Sequence, residues 1–461
     1  MIFDVKPRVT PPLDEGFRPG VLSNHAFLEA VASSGKAVPL TVAVERGDGS
    51  VSVFETQVLP AEHKQAQANL EYAERLVKTL LWQKGGRKVI IGGPKEIGAY
   101  IGKVYSPGGE RAFDVDFMAG VYEKPFVVET TSPEKVPARK EDSVALGRHL
   151  EGCRIGFDLG ASDRKVSAVI DGEAIFSEEV VWDPRNQTDP SYHYHEIMSA
   201  LHRAAARMPR VDAIGGSSAG VIIDNRVMIA SLFRGIPKDV FNARVKGLFL
   251  EMHKQWGVPF EIVNDGEVTA LAGSMSLNAN SILGIALGSS EAGGYVARDG
   301  NITRWLNELA FVPFDFSPSA PVDEWSGDRG CGVQYLCQNA VVRLAPAAGI
   351  PLDLSRNPAE NLVVVQDLMA KGDERAVKLF ETIGCYLGYA VAYYADIYEL
   401  QHVLILGRVT SGEGGVVILR KAQGVLSTEF PKLAQSVSVN LPDEAARRVG
   451  QSVAAASLPA L

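Results

Sequence analysis

Four short segments gather acids, hydroxyls and glycines at places where apolar runs give out. In Asp158-Leu159-Gly160-Ala161-Ser162 an acid at a strand end is followed by glycine. Such a turn lets backbone N–H groups approach a phosphate, lets the Ser162 hydroxyl donate, and lets the acid orient a metal-bound water. Ordinary hairpins use the same turn. Asn264-Asp265-Gly266-Glu267 closes an apolar strand and opens a helix, so a carboxylate there could take a proton from a substrate hydroxyl. Taken alone, the pattern favours an Asx turn with Asp265 as N-cap. Gly288-Ser289-Ser290-Glu291-Ala292-Gly293-Gly294 is a small-residue loop able to wrap a phosphate chain, or a plain glycine hairpin. Its Glu291 opposes that use, because a carboxylate beside triphosphate costs Coulomb energy unless a cation intervenes. Last, Leu406-Gly407 and the glycines through Gly415 follow a late apolar strand and could pack beneath an adenine ring.

These segments need elements to hold them. Around Gly47-Asp48-Gly49 the apolar residues alternate, which predicts a hairpin; a helix pattern follows over Ala66–Trp82, then a strand at Lys88–Ile91. Residues 1–128 thus read as a small α/β accessory domain. Residues 129–150 are polar, charged and Pro-containing, the composition of a linker. Beyond them strands and helices alternate as in an α/β protein, with a first lobe over 151–275 and a second over 276–461. Long helices are expected near 332–345 and 374–400, and a late strand at His402–Leu406. Tyr192-His193-Tyr194-His195 could offer a metal pair, but no third ligand is identifiable and surface histidines are the simpler expectation. Trp82, Trp256 and Trp305 read as core.

Composition narrows the function classes. The chain has 461 residues, 46% hydrophobic and 22% charged, with a net charge of −9 and its charges interspersed. Nucleic-acid binding wants a clustered basic face and is not expected. The four cysteines show no CxxC spacing, the N-terminus lacks an apolar signal core, and no apolar run is long enough to span a membrane. A soluble, cytoplasmic protein is expected.

The order of the four segments resembles that of the actin-like kinases, and over about 154–430 the chain resembles the ROK family (repressor, open reading frame, kinase). Arg154–Ile170 looks like the family's first phosphate motif, with Asp158, Gly160 and Ser162 for its Asp, Gly and Thr. Ile214–Val221 looks like the substrate-side glycine segment, Ala219 replacing a proline, and this implies substrate contacts at Gly216 and Ser217. Asn264-Asp265 resembles the family's Asn-Asp pair, with Asp265 the implied catalytic base; Gly288, Ser289 and Gly293 fall in the second phosphate loop and Gly407 at the adenosine side. Glu308 retains a substrate-side carboxylate. The resemblance implies a two-lobed actin-like ATPase fold after the small N-terminal domain, ATP with Mg²⁺ as donor, a sugar or polyol acceptor, and a homodimer.

Three departures stand out. Phe311 occupies the place of a zinc-ligating His, and of three cysteines only Cys331 remains, so no structural zinc is expected. Ser231 stands near the position of a sugar-binding Asn. Ser290 and Glu291 replace small or apolar residues. A binding protein without turnover is therefore the rival expectation, and acyl-phosphate chemistry a third.

Overall fold

The computed structural model describes residues 3–461 except 142, 162 and 443, and at 143–144 and 444–449 the backbone only. The alternating residues around Gly47-Asp48-Gly49 pair as β1 (Val38–Glu45) and β2 (Val51–Val58). Strand β3 (Lys88–Gly92) adds antiparallel to β1, and β4 (Val127–Thr131) parallel to β3. Helices α1 (Gly20–Ser33), α2 (Ala68–Lys84), α3 (Lys95–Val104) and α4 (Ala112–Tyr122) accompany this sheet. The segment read as a linker contributes β4 here, and β5 (Ser143–Val144) further on joins the edge of the last sheet.

The first lobe is built on a meander of β6 (Cys153–Leu159), β7 (Asp163–Ile170) and β8 (Glu173–Val181). After α5 (Ser191–Ala205), β9 (Ala213–Ser218) pairs parallel to β6. A hairpin, β10 (Val221–Ile223) and β11 (Arg226–Ile229), projects before the one-turn α6 (Lys238–Val240) and α7 (Leu248–Trp256). Strand β12 (Phe260–Asn264) then pairs parallel to β9 and runs into α8 (Asp265–Leu277).

The second lobe repeats the plan. Its meander is β13 (Ile282–Leu287), β14 (Glu291–Val296) and β15 (Ile302–Thr303). Helices α9 (Gln338–Leu344), α10 (Pro358–Ala370) and α11 (Glu374–Ala395) precede β16 (His402–Leu406), which pairs parallel to β13. Helices α12 (Glu413–Glu429) and α13 (Pro431–Ser436) lead to β17 (Ser438–Asn440), parallel to β16. The sheet orders are β12-β9-β6-β7-β8 and β17-β16-β13-β14-β15-β5. Three antiparallel strands followed by two parallel ones, used twice, make the two-lobed actin-like α/β fold.

The final helix, α14 (Glu444–Ala456), crosses back to the first sheet although its sequence position falls within 276–461. Glycine makes that approach possible: a Cβ at Gly156 or Gly215 would come within 1.7 Å of the Ser452 or Ala455 carbonyl oxygen. Helices α8 and α14 thereby lie between the two sheets.

Residues 1–128, expected as a separate domain, share one hydrophobic core with the second lobe, in which Phe17 and Trp82 join Tyr335, Phe380 and Tyr386; the first lobe has its own around Phe157, Leu201 and Phe249. His193 is fully buried, its Nε2 facing the Pro184 and Leu232 carbonyls at 3.0 and 3.2 Å, which corrects the expectation of a surface residue. No helix among the described residues is long and apolar enough to cross a membrane.

Candidate active site

The C-terminal ends of β6, β9 and β12 point toward the cleft between the lobes. Asp158, one residue before the end of β6, is buried and accepts a hydrogen bond from Ser217 Oγ on β9. Burial pushes its carboxyl up, while Lys165, opposite it in the β6–β7 register, opposes that shift. The Gly160 N–H closes the hairpin onto the Asp163 carbonyl at 3.0 Å, and the Gly160 carbonyl accepts from Trp182 Nε1 at 2.9 Å. Gly216 faces the Phe157 ring inside the lobe, so its lack of a side chain serves packing. Ser162 lies outside the described residues.

At the β12–α8 corner the N-cap is Asn264, not Asp265, which corrects the Asx-turn expectation. Asn264 Oδ1 accepts from the Gly266 N–H, and its Nδ2 donates to the Gly220 carbonyl, both at 2.7 Å. Asp265 is therefore the first residue of the helix, half-buried, and accepts from Gly266 N–H at 3.0 Å. Burial and the neighbouring Asp158 push it up to about 6. Glu267 and Glu308 are each pushed up to about 8, chiefly by burial, with Asp265 adding to both. Four carboxyl groups from both lobes thus converge on the start of α8.

Two cavities flank this corner. The first, about 560 Å³, is lined by Asp158, Gly160, Lys165 and Asp265 from one side and by Leu404, Gly407 and Arg408 from the other. Gly407 has φ +99°, and a Cβ there would come within 2.5 Å of the Leu287 carbonyl oxygen, so glycine is required. Arg408 Nη2 reaches across the lobes to Asp163 Oδ2 at 2.8 Å. Gly288, Ser289 and Gly293 do not line this cavity. The Gly288 N–H donates to Ser290 and its carbonyl accepts from Gln338; Ser289 is exposed; Gly293 packs against Gly266 of α8. Glu291 turns into the interior, where Tyr394 donates to its Oε1 at 2.8 Å and burial pushes it up to about 8. Its carboxyl does not line the cavity.

The second cavity, about 520 Å³, touches Asn264 and Glu267 and is walled by the β10–β11 hairpin, by Thr303–Leu306, and by the N-terminal domain at residues 46–48 and 121–123. The same domain holds the Glu308 segment, whose Asn307 and Glu308 N–H groups donate to the Gln83 and Trp82 carbonyls. Phe311 stacks among Trp82, Phe113 and Phe117, with ring centroids 4.3 to 6.1 Å away. The loop ending at Cys331 is held by ion pairs: Asp328 receives Arg75 and Arg111 at 2.9 Å and Lys78 at 3.4 Å, all buried. Sequence reasoning missed Lys165, Glu267 and all the N-terminal contributors. The β6–β7 register could have found Lys165, and Asn264-x-x-Glu267 has the spacing of a capping box.

Duplicated sheets, with Asp158 and Asp265 of the first lobe facing the cleft between them, define the class of two-lobed, actin-like folds. A sequence model described as ROK family matches residues 154–438, and the chain belongs to that family. Among solved structures, the ROK family glucokinase from Streptomyces griseus, in complex with glucose and AMPPNP, is 20% identical with a TM-score of 0.50, covering 67% of this chain and 99% of that one. The ROK hexokinase from Thermus thermophilus is 19% identical with a TM-score of 0.50, over 66% and 97%. A ROK family transcriptional regulator, homolog of the E. coli MLC protein, is 18% identical with a TM-score of 0.53, over 66% and 78%. These likenesses establish the fold. No curated protein matches the chain.

Proposed function

We propose that the protein is a kinase that moves the γ-phosphoryl group of ATP to a hydroxyl of a sugar or polyol. The observation that carries this reading is Asp265, pushed up to about 6 and set at the corner between the two cavities. A general base works best with a pKa near the working pH, and this carboxyl is close to it. The first cavity suits a nucleotide by its lining: Lys165 and Arg408 for phosphate oxygens, Asp158 for a cation through water, and apolar Ala272, Met275 and Leu404 for a base. Mg²⁺ carried by ATP would supply charge neutralisation on the phosphates.

Asp265 takes the proton from the acceptor hydroxyl as it attacks. Ser217 holds the Asp158 carboxyl in place, and Lys165 beside it offers a positive charge to the transferred group. Closure across the Asp163–Arg408 pair excludes water. Little covalent chemistry is asked of the chain, so positioning supplies most of the rate. Gly288 and Ser289 keep the β13–β14 turn small beside the cleft, and Gly293, within β14, lets α8 pack close. A cytoplasmic homodimer accompanies the reading.

The alternative is a ligand-binding protein without turnover, favoured by one observation: the Gly160 N–H is spent inside its hairpin instead of facing a phosphate. ADP release measured with Mg·ATP and a panel of hexoses, amino sugars and inositols decides between them. Acceptor-dependent release that vanishes in Asp265→Asn supports the kinase. Ligand binding without release supports the alternative.

A further inference from the structure

Two loops of the first lobe meet beside the cleft without lining either cavity. The first, residues 182–190, leaves β8 next to the β6–β7 hairpin, where Trp182 Nε1 reaches the Gly160 carbonyl at 2.9 Å. The second, residues 230–237, follows β11. A Cβ on Gly220 would come within 2.5 Å of the Ala230 side chain, and Asn264 Nδ2 donates to the Gly220 carbonyl. His193 staples the loops together. The Pro184 carbonyl of one and the Leu232 carbonyl of the other both face its Nε2, so that nitrogen carries the proton and donates to both. Gly235 lets the loops touch, since a Cβ there would come within 2.5 Å of the Gln187 carbonyl oxygen and 2.8 Å of the Arg185 carbonyl oxygen.

This joint brings two arginines side by side. Among the described residues neither Arg185 nor Arg234 forms an ion pair or a side-chain hydrogen bond. Arg185 is half-buried: its Nε is shut off from solvent without a partner, while its terminal nitrogens reach the surface. Arg234 is exposed. Burial and the Arg234 charge push the Arg185 guanidinium down from its ordinary value, and no carboxylate among the described residues counters them. Neighbouring arginines differ. Arg164 is paired with Glu196, Arg203 with Glu178 and Arg244 with Asp189, at 2.5 to 3.3 Å. The acids of the two loops are engaged elsewhere. Asp183 accepts from Asn186 Nδ2 at 2.9 and 3.1 Å, Asp189 receives Arg244 and the Ser191 N–H, and the exposed Asp239 is offset by the adjoining Lys238.

Like charges held together by the fold repel while nothing lies between them, and an oxyanion placed there reverses the sign of that interaction. The planar guanidinium fork matches phosphate and carboxylate oxygens alike. Charge decides between the two: a pair of guanidinium groups carries twice the charge of a carboxylate, whereas a phosphate monoester carries about −1.5 to −2 at neutral pH.

We propose that Arg185 and Arg234 form an anion clip that binds a phosphate group, free or carried by a small molecule, beside the cleft. Neither residue lines the two cavities, so the clip is a site of its own and does not rest on the kinase reading.

The test is isothermal calorimetry with thermal melts on the full chain at constant ionic strength, with inorganic phosphate, sn-glycerol 3-phosphate and acetate as probes. The wild-type protein is compared with Arg185→Gln and Arg234→Gln, with Arg408→Gln in the first cavity, and with Arg203→Gln as a paired-arginine control. Phosphate should bind at least about tenfold more tightly than acetate, and each clip variant should weaken it about tenfold, the loss of charge-assisted hydrogen bonds. Arg203→Gln should leave it unchanged. Without phosphate both clip variants should melt at or above the wild-type temperature, because a like-charge contact is relieved, whereas arginines with a merely structural role would lower it. Added phosphate should raise the wild-type melting temperature more than that of either clip variant. Tighter binding of the ester than of inorganic phosphate makes the ligand a phosphorylated small molecule, and equal binding makes it the free anion, provided that the clip variants weaken both. Binding that Arg408→Gln abolishes and the clip variants ignore puts the anion in the first cavity and overturns the clip. Equal affinity for acetate, or binding of no probe, overturns it too.

Discussion

At the residue scale the proposed chemistry rests on two acids that repel each other. Asp265 must be ionised to accept a proton, so kcat/KM should fall as pH drops below about 6. Asp265→Asn should lower kcat by about a hundred- to ten-thousand-fold without unfolding the chain. Removing the neighbouring charge with Asp158→Asn should move the acid limb to lower pH, since Asp158 helps to hold Asp265 up; a pH–rate profile of that variant reads the shift directly. Glu291 supplies a second pH test. Its carboxyl is neutral in the fold and pushed up to about 8, above its ordinary value of 4.5. The native state therefore binds a proton that the unfolded chain releases. This contribution is fully present below pH 4.5 and is lost as pH rises through about 8. Glu291→Gln should flatten the decline, measured by denaturant melts between pH 5 and 9. The cleft positions of Asp158 and Asp265 were legible because each lies at the C-terminal edge of an apolar strand, the one two residues before Gly160, the other between Asn264 and Gly266. The inward turn of Glu291 was not, because it depends on Tyr394, distant in sequence.

At the scale of elements, hairpins and strand ends could be read from alternation and turn residues, whereas what α2 does could not. Its sequence looks amphipathic, yet Glu74, Arg75 and Lys78 are all buried. They can be, because each is paired: Arg75 with Glu74 and Asp328, Lys78 with Asp114 and Asp328. Isolated buried charge is expensive, so the helix and the loop ending at Cys331 fix each other. His193 misleads for the same reason, since only the distant Pro184 and Leu232 carbonyls make its burial tolerable. Asp328→Asn would leave three buried cations short of a partner. Breaking such a network typically costs about 3–5 kcal/mol. The expected result is a clear fall in melting temperature and release of the loop, read as protease sensitivity near Trp325. An unchanged melting temperature would mean that the aromatic stack on Phe311 suffices alone.

For the whole molecule the question is which lobe the N-terminal domain follows when the cleft opens. Its core is continuous with the second lobe, and each fully buried Phe or Leu there is worth roughly 1.5–3 kcal/mol. Its link to the first lobe includes a small apolar patch around Val121 and Met228 and the contacts of Glu123 with Arg226 and Lys246 at 2.8 to 3.2 Å. Glu123 is held down to about 2 by those partners, so the link persists at any physiological pH. All three side chains are partly exposed, however, and such pairs contribute about 0–1 kcal/mol each. The domain should therefore ride with the second lobe, and the Glu123 contact should part first. In hydrogen exchange, Glu123→Gln should speed exchange in the β10–β11 hairpin and at the C-terminal end of α4 while leaving α2 protected. Equal loss of protection in α2 would show that the domain is anchored to both lobes alike, and closure would then have to bend the domain instead of carrying it.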